Sequence, residues 1–324
     1  MIHMSGISKT FRVVQRGQGL RGAAGALFHR EYREIRALRN VSFDVPDGAL
    51  VGMIGPNGAG KSTCVKVMAG ILVPSSGTCE IMGYVPWRDR ARYVGHLGVV
   101  FGQRTQLWWD VPVRDSFELL RDIYRVPEDR HRRKRERYTD LLDLGDLLDR
   151  PLRQLSLGQR MRCELAASLL HEPKILFLDE PTIGLDAVSK QAVRTFIREI
   201  NRDDGVTVIL TTHDTADLEA LADRILLLGH GQLLYDGTLE GLRARYDTDR
   251  TLTVRFTGNA GDVTPPGCTL ISSGEGMLVY RIASDTVPLA IAQLAGALSL
   301  TDVRVEEKPV DEVIATLYRD LRIQ

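Results

Sequence analysis

The sequence predicts an α/β protein in which a parallel sheet is flanked by helices. Up to about residue 244, patterns typical of strands alternate with patterns typical of helices, which is the order of a helix-covered sheet. Continuous apolar runs are typical of parallel strands that are buried on both faces. Such runs occupy residues 174–178, 206–210 and 224–228.

A phosphate-binding loop follows one predicted strand. Residues 55–63 read GPNGAGKST, which fills the pattern G-x-x-x-x-G-K-[ST], between a strand at 49–54 and a helix that begins near Cys64. Backbone N–H groups and the positive helix N-terminus bind phosphates, the lysine reaches the β- and γ-phosphates, and the serine ligates Mg²⁺. The candidate nucleotide-binding residues are Gly55, Asn57, Gly58, Ala59, Gly60, Lys61, Ser62 and Thr63.

Two carboxylates, Asp179 and Glu180, come directly after the apolar run at 174–178. The carboxyl ends of parallel strands share one edge of a sheet, so these side chains are expected beside the phosphate loop. Asp179 is predicted to hold Mg²⁺ together with Ser62, and Glu180 to polarise an attacking water. An isolated acidic pair is often only the end of a strand. The phosphate loop upstream favours the catalytic interpretation.

Residues 155–159, Leu-Ser-Leu-Gly-Gln, precede a predicted helix, and Ser156 stands at its N-cap position. A helix that begins in this way offers N–H groups, a hydroxyl and a positive dipole end to an anion. The alternative is a plain serine-capped helix. The acidic strand end follows about 20 residues later, and Pro173 separates the two.

In this order, the motifs resemble those of the nucleotide-binding subunit of ABC transporters, over about residues 1–240. The resemblance implies a P-loop NTPase cassette that binds ATP and Mg²⁺ and hydrolyses ATP. Residues 55–63 match the Walker A loop, residues 175–180 the Walker B strand and residues 155–159 the signature. Gly184, Leu185 and Asp186 match the D-loop.

The resemblance also implies a role for several single residues. Glu180, His213 and Gln103 are expected to be catalytic, with His213 contacting the γ-phosphate and Gln103 sensing both Mg²⁺ and the attacking water. The expected ATP-binding residues beyond the phosphate loop are Ser156, Gly158, Gln159, Asp186 and Phe11, and the expected Mg²⁺ ligands are Ser62, Gln103 and Asp179.

Two departures from the family pattern affect these assignments. The third signature position is Leu157 instead of glycine, so we expect a working signature with altered packing. An insertion at about residues 15–36 separates Phe11 from the phosphate loop, which leaves Tyr32 as a rival for stacking on adenine. The insertion is interpreted as a surface loop, with a basic arm that contacts lipid headgroups or a partner as the alternative.

The resemblance implies that one chain carries half of each ATP site, because the signature of a second cassette completes the phosphate loop. The expected partners are a second copy or a related ABC ATPase, and an integral-membrane permease of ABC-2 type. Trp108 and Trp109, which follow Gln103, are interpreted as an apolar cleft for a permease helix, with ordinary core packing as the alternative.

The sequence is divided into an ABC ATPase domain at residues 1–244 and an accessory α+β domain at 245–324. The first contains a helical subdomain at about 104–170, with a helical stretch from about residue 114 to 148. The second domain contains no motif that indicates chemistry. Its role is left open between dimer support and regulation.

Composition excludes several classes of protein. The formal net charge is zero, which disfavours general nucleic-acid binding. The four cysteines are scattered, which disfavours a metal site or a disulfide framework. No apolar window is long enough for a membrane span, so the chain is not expected to cross a membrane unaided. The resemblance implies a peripheral position at the cytoplasmic face of the membrane, bound to a permease.

The predicted function is ATP hydrolysis that powers an ABC-2-type exporter of drugs or other small molecules. An ATPase of a polysaccharide or lipid exporter is the first alternative. A non-transport cassette that acts on nucleic acid or the ribosome is the second. The substrate itself is chosen by the permease, which is a different chain.

Overall fold

A computed structural model describes residues 1–14, 32–102, 104–246, 249–258 and 263–320. The predicted site residue Gln103 and residues 15–31 of the predicted insertion lie outside these ranges. The chain forms two compact units, Met1–Gly237 and Thr238–Gln324.

The strands of the first unit belong to two sheets. In chain order they are β1 (Ile2–Val14), β2 (Tyr32–Val45), β3 (Leu50–Ile54), β4 (Ser76–Ile81), β5 (Leu97–Phe101), β6 (Ile175–Asp179), β7 (Thr207–Thr212), β8 (Arg224–Gly229) and β9 (Gln232–Gly237). The helices are α1 (Lys61–Met68), α2 (Arg90–Tyr93), α3 (Val113–Tyr124), α4 (Glu128–Leu141), α5 (Leu157–Leu169), α6 (Ala187–Asp204) and α7 (Thr215–Leu221).

The larger sheet has the order β5-β6-β7-β3-β8-β9. All of its neighbouring strands are parallel except β8 and β9, which are antiparallel. The last residue of β3, Ile54, pairs with Thr212, and Asp179 pairs with Thr211. The loops that follow β3, β6 and β7 therefore meet at one edge of the sheet. The apolar runs of the sequence form buried strands in this sheet, as predicted.

The smaller sheet is antiparallel, with the order β2-β1-β4. Phe11 pairs with Ile35, and Val14 pairs with Tyr32. Residues 32–36, which the sequence analysis placed in an insertion, are therefore part of strand β2. That expectation was wrong for these residues because their exposed, charged sequence hides a strand that is held by pairing with β1.

Helices α3, α4 and α5 pack around a core that includes Phe117, Tyr138 and Leu165. The single helical stretch expected from residue 114 to 148 is interrupted after Tyr124. Arg125 has a φ of 54°, in the left-handed region, and Pro127 precedes the first residue of α4. Proline favours an extended conformation at the residue before it, which ends the first helix.

The second unit consists of helix α8 (Leu239–Tyr246), strands β10 (Asp249–Thr257), β11 (Cys268–Gly274), β12 (Met277–Ala283) and β13 (Ser299–Glu307), and helices α9 (Val287–Ala297) and α10 (Val310–Asp320). Its sheet is antiparallel, with the order β11-β12-β10-β13. Leu252 and Tyr280 of the sheet share a buried core with Leu294 of α9. Helix α8, most of which the sequence analysis assigned to the first domain, lies in this unit, and its Arg243 pairs with Glu307 at 3.3 Å.

Among the residues that the structure describes, none of the helices combines the length and the apolar character needed to cross a bilayer.

Candidate functional site

The phosphate loop connects β3 to α1, and its shape depends on glycine at one tight position. Gly60 has a φ of 107°, and a Cβ atom there would lie 2.7 Å from the carbonyl oxygen of Ala37. The side chain of Lys61 is buried, and its Nζ donates to the carbonyl oxygens of Gly55 at 2.6 Å and Pro56 at 3.3 Å. The loop therefore curls around the lysine ammonium group, which lies among main-chain oxygens.

A hydroxyl and a carboxylate meet beside this lysine. Ser62 Oγ donates to Asp179 Oδ1 at 3.0 Å, and Thr211 Oγ1 donates to the same carboxylate oxygen at 2.6 Å. Mg²⁺ takes oxygen ligands and is usually held by one or two protein groups together with substrate phosphates and water. The half-buried pair of Ser62 and Asp179 fits this donor set.

Glu180 is held in an unusual backbone conformation directly after β6. Its φ is 56°, a region that residues other than glycine seldom adopt, and its N–H donates to the carbonyl oxygen of Thr211 at 3.0 Å. His213 Nδ1 lies 3.5 Å from Glu180 Oε1, and the histidine side chain is 55 % exposed.

Burial lowers the pKa of Lys61, while the charges of Glu180 and Asp179 oppose that shift.

A buried hydrogen-bond network, which the sequence analysis missed, connects the loop after β6 with the loop after β7 that carries His213. Asp217 of α7 is fully buried and accepts hydrogen bonds from Thr182 and Thr212. It also pairs with the guanidinium group of Arg194 of α6 at 2.6 Å. Thr182 follows the predicted Walker B carboxylates, and Thr212 ends β7, so one carboxylate connects the two loops. No local pattern marks Asp217, because its partners are distant in sequence.

A second ion pair holds the residue after the histidine. The carboxylate of Asp214 accepts from Lys190 Nζ at 2.6 Å. The same aspartate caps α7, because its Oδ1 accepts from the N–H of Ala216. The backbone of His213 therefore lies between two anchored neighbours, although its ring is exposed.

Phe11, and not Tyr32, lies at the phosphate loop. A cavity of about 350 Å³ is lined by Phe11, by Ile35 to Ala37 of β2, by Asn57 to Thr63 and by Glu180. Tyr32 is exposed and pairs with Val14, three residues further along the β1–β2 hairpin, and it does not line this cavity. The geometry favours Phe11 as the aromatic side chain beside a bound nucleotide, and its stacking on adenine stays a prediction.

The signature forms the N-terminus of α5. Ser156 is exposed and forms a capping box: Gln159 N–H donates to Ser156 Oγ at 3.2 Å, and Ser156 N–H donates to Gln159 Oε1 at 2.9 Å. Gly158 contacts the start of α6 closely, because a Cβ atom there would lie 2.4 Å from Ser189 Oγ. The predicted N-cap is confirmed, while the ATP-binding role of Ser156, Gly158 and Gln159 stays a prediction.

The D-loop residue Asp186 lies next to the signature. It is the N-cap of α6, and its carboxylate accepts from Ser189 N–H at 2.9 Å and Ser189 Oγ at 2.8 Å. These hydrogen bonds lower the pKa of Asp186. The exposed side chain of Leu157, the residue that departs from the family pattern, lies against Gly184. The signature and the D-loop are therefore in contact within one chain.

The two adjacent tryptophans lie at the surface. Trp108 is 41 % exposed and Trp109 is 46 % exposed, so the alternative of ordinary core packing is wrong. The guanidinium group of Arg160 lies 4.5 Å from a ring centre of Trp109. Gln103, which precedes this segment, lies outside the described residues, and its predicted roles stay predictions.

Comparison with known proteins gives the family of the chain. The family model described as ABC transporter matches residues 38–183. The daunorubicin resistance ATP-binding protein DrrA3 of Streptomyces coeruleorubidus is 34 % identical, over 72 % of this chain and 73 % of that protein. The daunorubicin/doxorubicin resistance ATP-binding protein DrrA of Streptomyces peucetius is 35 % identical, over 81 % of this chain and 77 % of that protein.

The fold agrees with that of a solved cassette. The dimeric structure of a post-hydrolysis state of the ATP-binding cassette MJ0796, bound to ADP and Pi, superposes with a TM-score of 0.62. The sequences are 24 % identical, and the match covers 74 % of this chain and 98 % of that chain. The predicted cassette fold is thereby confirmed. The chain belongs to the ABC transporter family, as one of its ATP-binding, ATP-hydrolysing proteins.

Proposed function

We propose that Lys61, Glu180 and His213 carry out ATP hydrolysis at the carboxyl edge of the parallel sheet. The observation that supports this most strongly is the convergence of Lys61, Ser62, Asp179, Glu180 and His213 on that edge. Lys61 exchanges its carbonyl contacts for phosphate oxygens and compensates their charge. Glu180 accepts a proton from the attacking water, and His213 contacts the γ-phosphate from the exposed side.

Ser62 and Asp179 are the residues that would hold Mg²⁺. When bound, Mg²⁺ supplies positive charge to the β- and γ-phosphate oxygens. The protein contributes the placement of the two ligands, because Thr211 donates to the Asp179 carboxylate and fixes its orientation. Gln103 is the third proposed ligand, from the sequence resemblance alone.

The proposed active form is a pair of cassettes, made from two copies or from this chain and a related one. Ser156 is exposed, and among the described residues its side chain bonds only within its own helix end, so it is accessible to the triphosphate of a partner cassette. ATP held between a phosphate loop and the partner's signature joins the two cassettes, and hydrolysis releases them.

The proposed setting is the cytoplasmic face of a membrane, with an ABC-2-type permease as the partner. The exposed Trp108 and Trp109 form an apolar surface of the kind that accepts a partner helix. Relatives that carry daunorubicin resistance in their names favour export of drugs or other small molecules as the cargo. A polysaccharide or lipid exporter is the alternative, since the permease selects the substrate.

The Glu180→Gln variant tests the ATP cycle. We expect hydrolysis to fall by about 100-fold or more, because the proton acceptor is lost while the phosphate contacts remain. The same variant should form a dimer in saturating Mg-ATP, measured by light scattering, whereas Glu180→Gln that also carries Lys61→Ala should not. A Glu180→Gln protein that stays monomeric in ATP would contradict the proposal.

The permease contact is tested by co-purification from detergent-solubilised membranes. Trp108→Ala combined with Trp109→Ala should lose the permease and uncouple transport, yet bind ATP as the wild type does. Trp87→Phe, in the half-buried third tryptophan, is the matched control and should keep the permease. Normal transport by the double variant would refute the assignment of this surface.

A further inference from the structure

A buried carboxylate connects the signature helix to the tryptophans. Glu164 lies two turns into α5 and is only 4 % exposed. Its Oε1 accepts from the hydroxyl of Thr105, and its Oε2 accepts from the N–H of Gln106 at 3.2 Å. The side-chain amide of Gln106 donates in return to the main-chain oxygen of Glu164 at 3.1 Å. We name residues 105–109 the tryptophan segment.

Arg160 makes a second contact with the same segment from the preceding turn of α5. Its guanidinium group lies 4.5 Å from a ring centre of Trp109. Arg160 and Glu164 are four residues apart, so they project from the same side of the helix. Both residues line a cavity of about 530 Å³ whose walls also include Thr105, Trp109 and Leu157 of the signature.

The hydrogen bonds that Glu164 accepts require a defined orientation of their donors. Burial raises the pKa of Glu164, and the hydrogen bonds from Thr105 and Gln106 oppose that shift. A carboxylate in this place costs desolvation energy that an apolar side chain of similar size would avoid. The carboxylate contributes orientation, because it accepts from the hydroxyl of Thr105 and the N–H of Gln106. These two hydrogen bonds fix the position of the tryptophan segment along α5.

We propose that Glu164 and Arg160 are positioning residues that make the tryptophan segment move together with the signature helix. The inference rests on the proposed function, in which ATP draws the signature of one cassette toward the phosphate loop of the other. Because the N-terminus of α5 carries Ser156 and its next two turns hold the segment, a displacement of the signature is carried directly to Trp108 and Trp109.

Tryptophan fluorescence of the full chain tests this coupling. The chain has three tryptophans, and Trp87→Phe leaves Trp108 and Trp109 as the only reporters. In a parent protein with Trp87→Phe and Glu180→Gln, we expect saturating Mg-ATP to produce a dimer and to shift the tryptophan emission. Adding Glu164→Leu should preserve the dimer and abolish most of the emission shift.

Glu164→Gln is the conservative control. Glutamine has the same shape, can accept from Gln106 N–H and can donate to the Thr105 hydroxyl, so the emission shift should return. Thr105→Val removes the hydroxyl from the other side of the contact without a change in α5, and it replaces Glu164→Leu if that variant does not fold. Arg160→Gln should reduce the shift by a smaller amount, since it removes the contact with Trp109 but leaves the hydrogen bonds of Glu164 to the tryptophan segment in place.

The outcomes separate the coupling from the ATP cycle. A full emission shift in a dimeric Glu164→Leu protein, or in Thr105→Val, would overturn the inference, because burial of Leu107 in the helical core would then be sufficient to carry the motion. A parent that dimerises without any shift would also overturn it, while the proposed function would stand. A parent that does not dimerise in ATP would refute the proposed function and this inference with it.

Discussion

The carboxyl edge of the parallel sheet and the N-terminus of the signature helix are built in opposite ways. At the sheet edge, Ser62 and Asp179 are half-buried and bonded to each other across a long sequence separation, and Asp179 accepts from both Ser62 and Thr211. At the signature, Ser156 is exposed, and its side chain accepts from Gln159, three residues along the same helix.

The difference shows which part of the site one chain completes by itself. Groups that are fixed in place by several partners are pre-organised for charge stabilisation. A helix end that is capped locally is stable alone, yet its hydroxyl and N–H groups stay accessible to another molecule. The sheet edge therefore resembles a pre-organised half of a catalytic site. The signature helix end resembles a surface that binds the nucleotide of a second cassette.

Lys61→Ala should cause the largest loss of ATP hydrolysis among these variants. Removing its charge takes away a buried contact to the phosphates, and we expect ATP hydrolysis to fall by about 1,000-fold. Steady-state phosphate release and calorimetric ATP binding measure the effect. Lys174→Ala removes an exposed lysine at the other end of β6, beside the same sheet, and should leave both quantities unchanged. Equal losses in the two variants would mean that the effect is not local.

Asp217→Ala should show how much the buried network behind the sheet edge contributes to the free energy of unfolding. The change leaves the hydroxyls of Thr182 and Thr212 and the charge of Arg194 without their buried partner, so we expect a loss of about 3 kcal/mol in the free energy of unfolding. Urea unfolding followed by tryptophan fluorescence reports on the first unit, which contains all three tryptophans. The exposed Asp223→Ala is the control, with an expected change below about 0.5 kcal/mol.

Ser156→Asp should separate the capping role of the signature serine from its proposed role toward ATP. Aspartate is an equally good N-cap, so the free energy of unfolding should change by less than about 0.5 kcal/mol. Its negative charge would repel the γ-phosphate of the partner's ATP, so hydrolysis should fall by about 100-fold. Full hydrolysis by a stable Ser156→Asp protein would show that no triphosphate approaches this helix end.

Phe11→Ala should have the smallest effect of the four. One aromatic–base stack is worth about 1–3 kcal/mol, and we expect a loss near the lower end of that range, about 1.4 kcal/mol, which corresponds to a roughly tenfold weaker ATP affinity. Tyr32→Ala, in the same hairpin but outside the cavity at the phosphate loop, should change the affinity by less than about twofold. Calorimetry with ATP measures both variants, and a larger effect of Tyr32→Ala would move the adenine site away from Phe11.

Much of the fold could be predicted because its strongest elements have local signals. The buried parallel strands are continuous apolar runs, and the phosphate loop has fixed glycine and lysine spacing. Strand β2 was harder, because its first residues are exposed and charged and are held by pairing with β1. The break between α3 and α4 was missed for a different reason: the left-handed Arg125 and Pro127 interrupt a pattern that is otherwise helical.

The residues of the candidate site also divide into those that a local motif predicts and those that only distant contacts identify. Lys61, Ser62, Asp179, Glu180 and Ser156 were predicted because each stands at a fixed place in a short motif. Asp217 and Glu164 were not predicted, because a buried carboxylate is identified by partners that lie far away in the sequence. Asp217 contacts Thr182, 35 residues before it, and Glu164 contacts Thr105, 59 residues before it.

The sequence by itself determined the motifs, the class of fold and the chemistry of the phosphate-binding edge, since backbone conformation and side-chain type are encoded within a few consecutive residues. Only the tertiary structure decided that Phe11 lies at the loop, that the tryptophans face outward and that Glu164 holds their segment to α5. These are contacts between residues distant in the chain, and they exist because packing brings separate elements together.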